Sequence, residues 1–318
     1  MKKLSVGIDL GGTKIAVCVM DEEGKILAKE IIPTKAEEGP TAVIKRMKES
    51  VYKVLDDADV SIADIEGIGM GIPGPLNAKR GVTRNLPNLP GWEGIPLVSI
   101  MKHEFGVRVI MENDANSAAW GEYLFGAGKY ADNFLYITIS TGIGGGVVIK
   151  GRLLKGESGN AAEIGHMTIN FDGPKCGCGN FGCWEAYASG TALARFAEEG
   201  IRNGIKTKIT DYLKNGVISA ESVFLAAKDG DGFAKELLER ESFYLGVGLA
   251  NVINAFNPQR IAIGGGLTNQ WDVFYDKMME VIKKRAFSAN TEELRVVKAE
   301  LGSDAGVIGA ASLLFSIE

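Results

Sequence analysis

A strand, a glycine-rich bend and a second strand occur in this chain twice, and that repetition limits what it can fold into. Leu4 to Asp9 has the composition of a buried strand, as does Ile15 to Met20, and Leu10-Gly11-Gly12-Thr13-Lys14 joins them. Asp21-Glu22-Glu23-Gly24 then turns the chain into a third strand, Lys25 to Ile32. Thr41 to Leu55 sets Val43, Ile44, Met47, Val51, Val54 and Leu55 three or four apart, one apolar face of a helix. Ile65 to Ile72 returns as a strand and ends at Pro73-Gly74-Pro75. About 130 residues after the first strand the grammar resumes with Phe134 to Ser140, the bend Thr141-Gly142-Ile143-Gly144-Gly145-Gly146, Val147 to Lys150 and the turn Gly151-Arg152. Arg260 to Ile263, followed by Gly264-Gly265-Gly266, answers Ile68 to Gly74. A duplicated βββαβα unit predicts two α/β domains around a central cleft, which suits 318 residues, more than a single core usually supports.

Between the halves, Val107 to Glu112 reads as a strand and Asn113-Asp114-Ala115-Asn116 opens a helix, so Asp114 falls where strand gives way to helix. A long helix ends near Asn257-Pro258. Ala305 to Phe315 is small and apolar at helical spacing and is expected to pack back on the first domain. The division this implies is 1–115 plus 303–318 for a small domain and 116–302 for a large one.

Neither glycine bend is a standard nucleotide motif. Gly7 to Lys14 approaches the Walker A pattern but ends Thr-Lys and runs into a strand where that motif needs a helix. Gly142 to Gly146 fails the dinucleotide fingerprint in spacing and in the β-branched residues behind it. Such bends can still present backbone N–H groups to phosphate oxygens, with no Cβ in the way. Asp9 at the first strand's end could hold Mg²⁺, a hard cation that favours carboxylate and phosphate oxygens. Lys14 is either a phosphate contact or a solvated turn residue, and Asp114 either a general base or a plain helix cap.

Three of the four cysteines crowd into Cys176, Cys178 and Cys183, interleaved with Gly177, Gly179 and Gly182. With His166 they supply four ligands of the right type for a closed, structural zinc site. Glu163 and Glu185 flank the cluster and, with the second nitrogen of a metal-bound imidazole, would suit sugar hydroxyls, which both donate and accept. Cys18 reads as a small buried hydrophobe and His103 as an exposed residue without a role. A net charge of −5 lacks the basic face that nucleic-acid binding requires. No apolar run is long enough to span a bilayer, so cytoplasm is the expected location.

Taken together, Asp9-Leu10-Gly11-Gly12-Thr13-Lys14, Glu112-Asn113-Asp114-Ala115-Asn116, Ser140 to Gly146, Glu163-Ile164-Gly165-His166 and Cys176 to Glu185 resemble the ROK family of repressors, open reading frames and kinases, specifically its bacterial glucokinases. The glycine bends are shared with the wider actin-like ATPase fold, of duplicated ribonuclease H-like domains, whereas the His-Cys cluster is particular to this family. The resemblance implies ATP-dependent phosphorylation of the 6-hydroxyl of a hexose, with Asp114 as base and Gly74, Asn113, Asp114, Glu163, His166 and Glu185 as sugar contacts. It implies phosphate contacts at Asp9, Gly11, Gly12, Thr13 and Lys14 and at Thr141, Gly142, Gly144 and Gly145, with Gly264, Gly265 and Gly266 beside the base. Zinc would lie on His166, Cys176, Cys178 and Cys183. Homodimers or dimers of dimers are common in such a family, as are hexoses other than glucose and, in places, polyphosphate as donor. Family repressors carry a DNA-binding module ahead of this region, and only eight residues precede Asp9, so the kinase is the expected member.

Overall fold

The computed structural model describes residues 2–86 and 88–315. The first half of the chain runs β1 (Leu4–Leu10), β2 (Lys14–Asp21), β3 (Ile26–Pro33), α1 (Gly39–Asp57), β4 (Ile65–Ile72), the short β5 (Leu76–Asn77) and β6 (Val82–Thr83), α2 (Leu97–Phe105), β7 (Val109–Asn113) and α3 (Asp114–Phe125). The second runs β8 (Asn133–Ile139), β9 (Ile143–Ile149), β10 (Arg152–Leu153), α4 (Glu185–Ala188), α5 (Gly190–Arg202), α6 (Ala220–Lys228), α7 (Gly232–Phe256), β11 (Arg260–Gly264), α8 (Trp271–Arg285), β12 (Arg295–Lys298) and α9 (Ala305–Ser312).

Two five-stranded sheets result, in the orders β3-β2-β1-β4-β7 and β10-β9-β8-β11-β12. The orders correspond strand for strand, so the duplication inferred from glycine grammar is present in the topology. In the first sheet β1 pairs antiparallel with β2 and parallel with β4, which pairs parallel with β7. In the second, β9 and β10 are antiparallel and β11 and β12 parallel.

The repeat is longer than its sequence signature. The strand read as a connection before Asn113 is β7, the first sheet's edge, so the unit is βββαβαβα. Its counterpart, β12 followed by α9, carries no glycine bend and gives no such signal. The glycine run from Ile143 to Gly146 is also strand and not bend, because only Ser140 to Gly142 turn, closed by the Ser140 N–H on the Gly142 carbonyl at 2.9 Å. A glycine run ordinarily punctuates, but here it flattens a strand against a helix. A Cβ on Gly146 would stand 2.4 Å from that of Ala119 on α3.

Two compact units divide the chain. One holds the chain up to Tyr136, Gly146–Ala162 and the chain from Ala299 on; the other holds Ile137–Gly145 and Glu163–Lys298. In the first unit the alternation along β2 sorts side chains to two faces. Ile15, Val17 and Val19 join Val43, Met47, Val51 and Val54 of α1 in one core, while Ala16, Cys18 and Met20 pack against Val307, Ile308 and Ala311 of α9. The C-terminal helix therefore docks on the first sheet, as its spacing predicts. Close approach to α3 depends on Gly309, where a Cβ would fall 1.7 Å from the Ser117 carbonyl oxygen. Buried Glu122 of α3 fastens the segment ahead of α9 by accepting the backbone N–H groups of Glu300 and Leu301 at 3.1 and 2.7 Å.

In the second unit α7 is the spine, with Leu245, Leu249, Val252 and Ile253 buried. It stops at Asn257, which takes the left-handed conformation (φ 43°) ahead of Pro258, a residue that cannot continue a helix.

Candidate active site

In the first unit, β1 delivers Asp9 to the bend between β1 and β2, and β7 delivers Asn113 and Asp114 to the start of α3. The bend is closed by the Gly11 N–H on the Lys14 carbonyl at 2.9 Å and by the Thr34 hydroxyl on the Gly11 carbonyl at 2.7 Å. Lys14 opens β2 with an exposed side chain. At the helix start the sequence pointed to Asp114 as a possible cap, but Asn113 does the capping: its Oδ1 accepts the N–H groups of Ala115 and Asn116 at 2.9 and 3.1 Å. Asp114 has Oδ1 on the Ala115 N–H at 2.8 Å, and its other oxygen makes no protein hydrogen bond among the described residues. Glu112, whose part the motif alone does not reveal, fixes the turn from beneath. It is buried, accepts from Asn113 N–H at 3.0 Å and Asn116 Nδ2 at 3.1 Å, and pairs with Lys155 at 3.2 Å.

Both aspartates hold protons more tightly than usual. Burial, then the charge of Asp114, pushes Asp9 up to about 7, against an opposing pull from Lys14. Burial likewise raises Asp114, opposed by its backbone hydrogen bonds. Half-buried carboxylates of which one raises the proton affinity of the other call for a cation or a proton donor nearby.

In the second unit, Ser140 to Gly142 form the corresponding bend, held to the start of α5 by the Gly190 N–H on the Ser140 carbonyl at 2.8 Å. Gly144 and Gly145 follow inside β9. Glu185, first residue of α4, reaches back to this bend, and its Oε2 accepts the Ile143 N–H at 2.9 Å. Gly142 leaves room for that carboxylate, since a Cβ there would sit 2.4 Å from Oε2. The other oxygen of Glu185 lies 3.7 Å from Cys176 Sγ, so one side chain touches both the bend and the cysteine cluster.

The ligand atoms of His166, Cys176, Cys178 and Cys183 all lie within 4.8 Å of one another. Tetrahedral zinc with Zn–S bonds of ~2.3 Å sets neighbouring sulfurs about 3.8 Å apart. Cys178 and Cys183 sulfurs are 3.7 Å apart, and His166 Nδ1 is 3.7 Å from Cys176 Sγ. The four donors thus fit one zinc ion. The chain tightens around them through the Cys176 N–H on the Asn180 carbonyl (2.8 Å) and the Gly179 N–H on the Cys176 carbonyl (3.0 Å). Burial, followed by contact with its cysteine neighbours, pushes the Cys183 thiol up to about 12, so this sulfur ionises only with a cation beside it. His166 and Glu163 share one 3-10 turn, joined by the His166 N–H on the Glu163 carbonyl at 3.1 Å, and with Nδ1 on the cluster the imidazole turns Nε2 away from it.

Gly264 ends β11, and Gly265 takes positive φ (85°) into the turn before α8. Beside it lies an apolar recess bounded by Ile139, Leu245, Ile263, Leu267, Trp271 and Phe274. Gly74 follows β4 in the first unit. His103 is exposed on α2, and Cys18 is wholly buried in β2 with its thiol pushed up to about 12 by burial.

The ROK family model matches residues 5–316. The chain belongs to the ROK family. Among relatives it is 39% identical over 313 residues to a glucokinase of Halalkalibacterium halodurans, covering 97% of this chain and 94% of that one. Of solved structures, the ROK hexokinase from Thermus thermophilus matches at TM-score 0.84 and 37% identity, with 97% of this chain and 96% of that one covered. A ROK family glucokinase from Streptomyces griseus, solved with glucose and AMPPNP, matches at TM-score 0.82 and 35% identity over 98% of each chain. The actin-like ATPase fold expected of the family is the fold observed. Among the described residues no helix is long and apolar enough to cross a membrane.

Proposed function

We propose that this ROK protein is a glucokinase, transferring the γ-phosphoryl group of ATP to the 6-hydroxyl of D-glucose. The observation that carries the chemistry is Asp114. It sits at the first turn of α3 with one oxygen committed to the backbone, the other uncommitted, and a basicity raised by burial. Phosphoryl transfer asks little of a protein beyond positioning and charge, plus one carboxylate to accept the hydroxyl proton as the new bond forms. A more basic carboxylate with a free oxygen suits that task.

Glucose hydroxyls are assigned to Gly74, Asn113, Glu163, His166 and Glu185 besides Asp114. Asp9, Gly11, Gly12, Thr13 and Lys14 at the first bend and, in the other unit, Thr141 and Gly142 of the bend with Gly144 and Gly145 of β9 are assigned to the phosphates. Gly264, Gly265 and Gly266, beside the apolar recess, are assigned to the adenine end. Asp9 meets the Mg²⁺ that accompanies ATP, an assignment supported by its place at the end of β1 beside the glycine bend and by its proton affinity. The Cys₃His cluster takes a structural zinc that fixes the His166 ring, leaving Nε2 for the sugar. We assign the protein to the cytoplasm, where thiols stay reduced, and expect a homodimer or a dimer of such dimers.

Kinship with proteins named glucokinase supports glucose as the acceptor. The test is ADP release across glucose, fructose, mannose, allose and N-acetylmannosamine. Glucose should give the highest kcat/KM; a higher value for another hexose reassigns the substrate, and ADP release independent of sugar defeats the kinase.

A further inference from the structure

Within the first unit, the loop from Pro75 to Arg84 and the loop from Glu157 to Asn160 enclose an open recess of about 640 Å³. Its lining includes Asn77, Lys79, Arg80, Arg84, Glu157 and Ser158. Three cationic side chains thus face one carboxylate, on a chain whose net charge is −5. Lys79 and Glu157 pair with each other at 3.1 Å. The guanidinium groups of Arg80 and Arg84 have no ion-pair or hydrogen-bond partner among the described residues.

The walls are built and fastened. Asn77 Oδ1 accepts the Arg80 N–H at 3.1 Å, which closes the short turn that presents Lys79 and Arg80. The Arg84 N–H donates to the Pro75 carbonyl at 3.3 Å, and Asn160 Oδ1 accepts the Leu76 N–H at 3.4 Å, tying one loop to the other. Asn160 Nδ2 is engaged with Ser158 at 3.2 Å. That leaves the Asn77 Nδ2, the Ser158 O–H and the Glu157 oxygen that Lys79 does not engage as polar groups able to meet hydroxyls.

We propose that this recess binds a sugar phosphate ester, its phosphate on Arg80 and Arg84 and its hydroxyls on Asn77, Ser158 and Glu157, as a site separate from the hexose contacts. Arginine presents donors in a planar fork that matches phosphate oxygens, so two unpaired guanidinium groups in one recess favour a doubly charged group. The volume lies in the range of pockets that hold small organic ligands and exceeds what a phosphate ion alone would fill. The choice of ester rests on the kinase reading above, because the product of that reaction is a hexose 6-phosphate. Pro75, in the wall, follows directly on Gly74, so occupancy would be felt at a residue assigned to the sugar and would slow turnover as product accumulates.

The test uses the whole chain, wild type and R80Q/R84Q, each saturated with glucose so that the hexose contacts are filled. Calorimetric titration compares glucose 6-phosphate with inorganic phosphate. Glucose 6-phosphate should bind wild type once per chain, at least tenfold more tightly than inorganic phosphate and at least tenfold more tightly than it binds the variant. The single variant R84Q should fall between them, and kcat and KM for glucose in R80Q/R84Q should stay within twofold of wild type at low product. Absence of binding to glucose-saturated wild type, or equal affinity in the variant, overturns the site. Inorganic phosphate binding as tightly as the ester overturns the ligand class. ADP release on the same samples separates the two readings: a protein that binds the ester but phosphorylates no glucose refutes the kinase and supports the recess.

Discussion

An aspartate in the first turn of a helix normally ionises easily, because the helix N-terminus favours negative charge. Asp114 departs from that rule because burial raises its proton affinity by more than its backbone hydrogen bonds lower it. Exchanging it for Asn keeps the shape and removes the proton acceptor. Asp114→Asn should therefore lower kcat by about two to four orders of magnitude while hexose affinity stays within about tenfold, measured by steady-state kinetics and sugar titration. Asp9 allows a check that needs no substrate. Its folded-state pKa lies near 7 against an ordinary 3.8, so the folded protein binds this proton more tightly than the unfolded chain does. The resulting cost to stability is absent below about pH 4, grows between pH 4 and 7, and is complete above pH 7. Asp9→Asn should thus raise the melting midpoint of the nucleotide-free, Mg²⁺-free protein at pH 8, by an effect on the order of a few kcal/mol, and leave it unchanged at pH 4. A variant less stable than wild type at pH 8 would remove the argument. Loss of turnover should accompany the gain in stability, since strain at such a carboxylate is retained for function.

Helices and loops carry the next set of consequences. α9 touches α3 through backbone, and Gly309 is the point of closest approach. Gly309→Ala should cost about 3 kcal/mol, read as a shifted denaturation midpoint, because a backbone carbonyl cannot move aside as a flexible side chain can. The cysteine loop has almost no apolar core of its own, so the proposed zinc would organise it. Cys178→Ala, at the exposed ligand, should lose one zinc per chain by elemental analysis and lower the melting midpoint; full stability with no bound metal would reject the zinc assignment. These elements differ in how readily they can be read beforehand. The bounds Ile65 to Ile72 coincide with β4 because its apolar run is flanked by turn residues, and the helical spacing of Thr41 to Leu55 marks the buried face of α1, which runs two residues further at each end. β12 is four residues with one buried side chain and offers no period to detect. Ile143 to Gly146 misled because glycine there answers a packing demand from Ala119, which no local window contains.

The duplication is legible across the whole molecule because glycines follow the first strand of each repeat, in the bend after β1 and in the turn and β9 after β8. Its full extent is not, since β7 with α3 and β12 with α9 share topology without sharing a motif. For the candidate site, the residue types and their grouping could be read from the chain: His166, Cys176, Cys178 and Cys183 do converge, and Glu185 does stand beside them. The contacts of Glu185 with Ile143 and of Glu112 with Asn113 and Asn116 could not, because each is set by where separate elements come to rest. The central claim remains a reaction, and product analysis tests it most directly. Zinc-loaded protein should be mixed with ATP, Mg²⁺ and glucose, and phosphorus NMR should follow ADP and the phosphate ester together. The account predicts one glucose 6-phosphate for each ADP and negligible ADP without sugar; ADP formed equally fast without glucose, or phosphate on another hydroxyl, would contradict it.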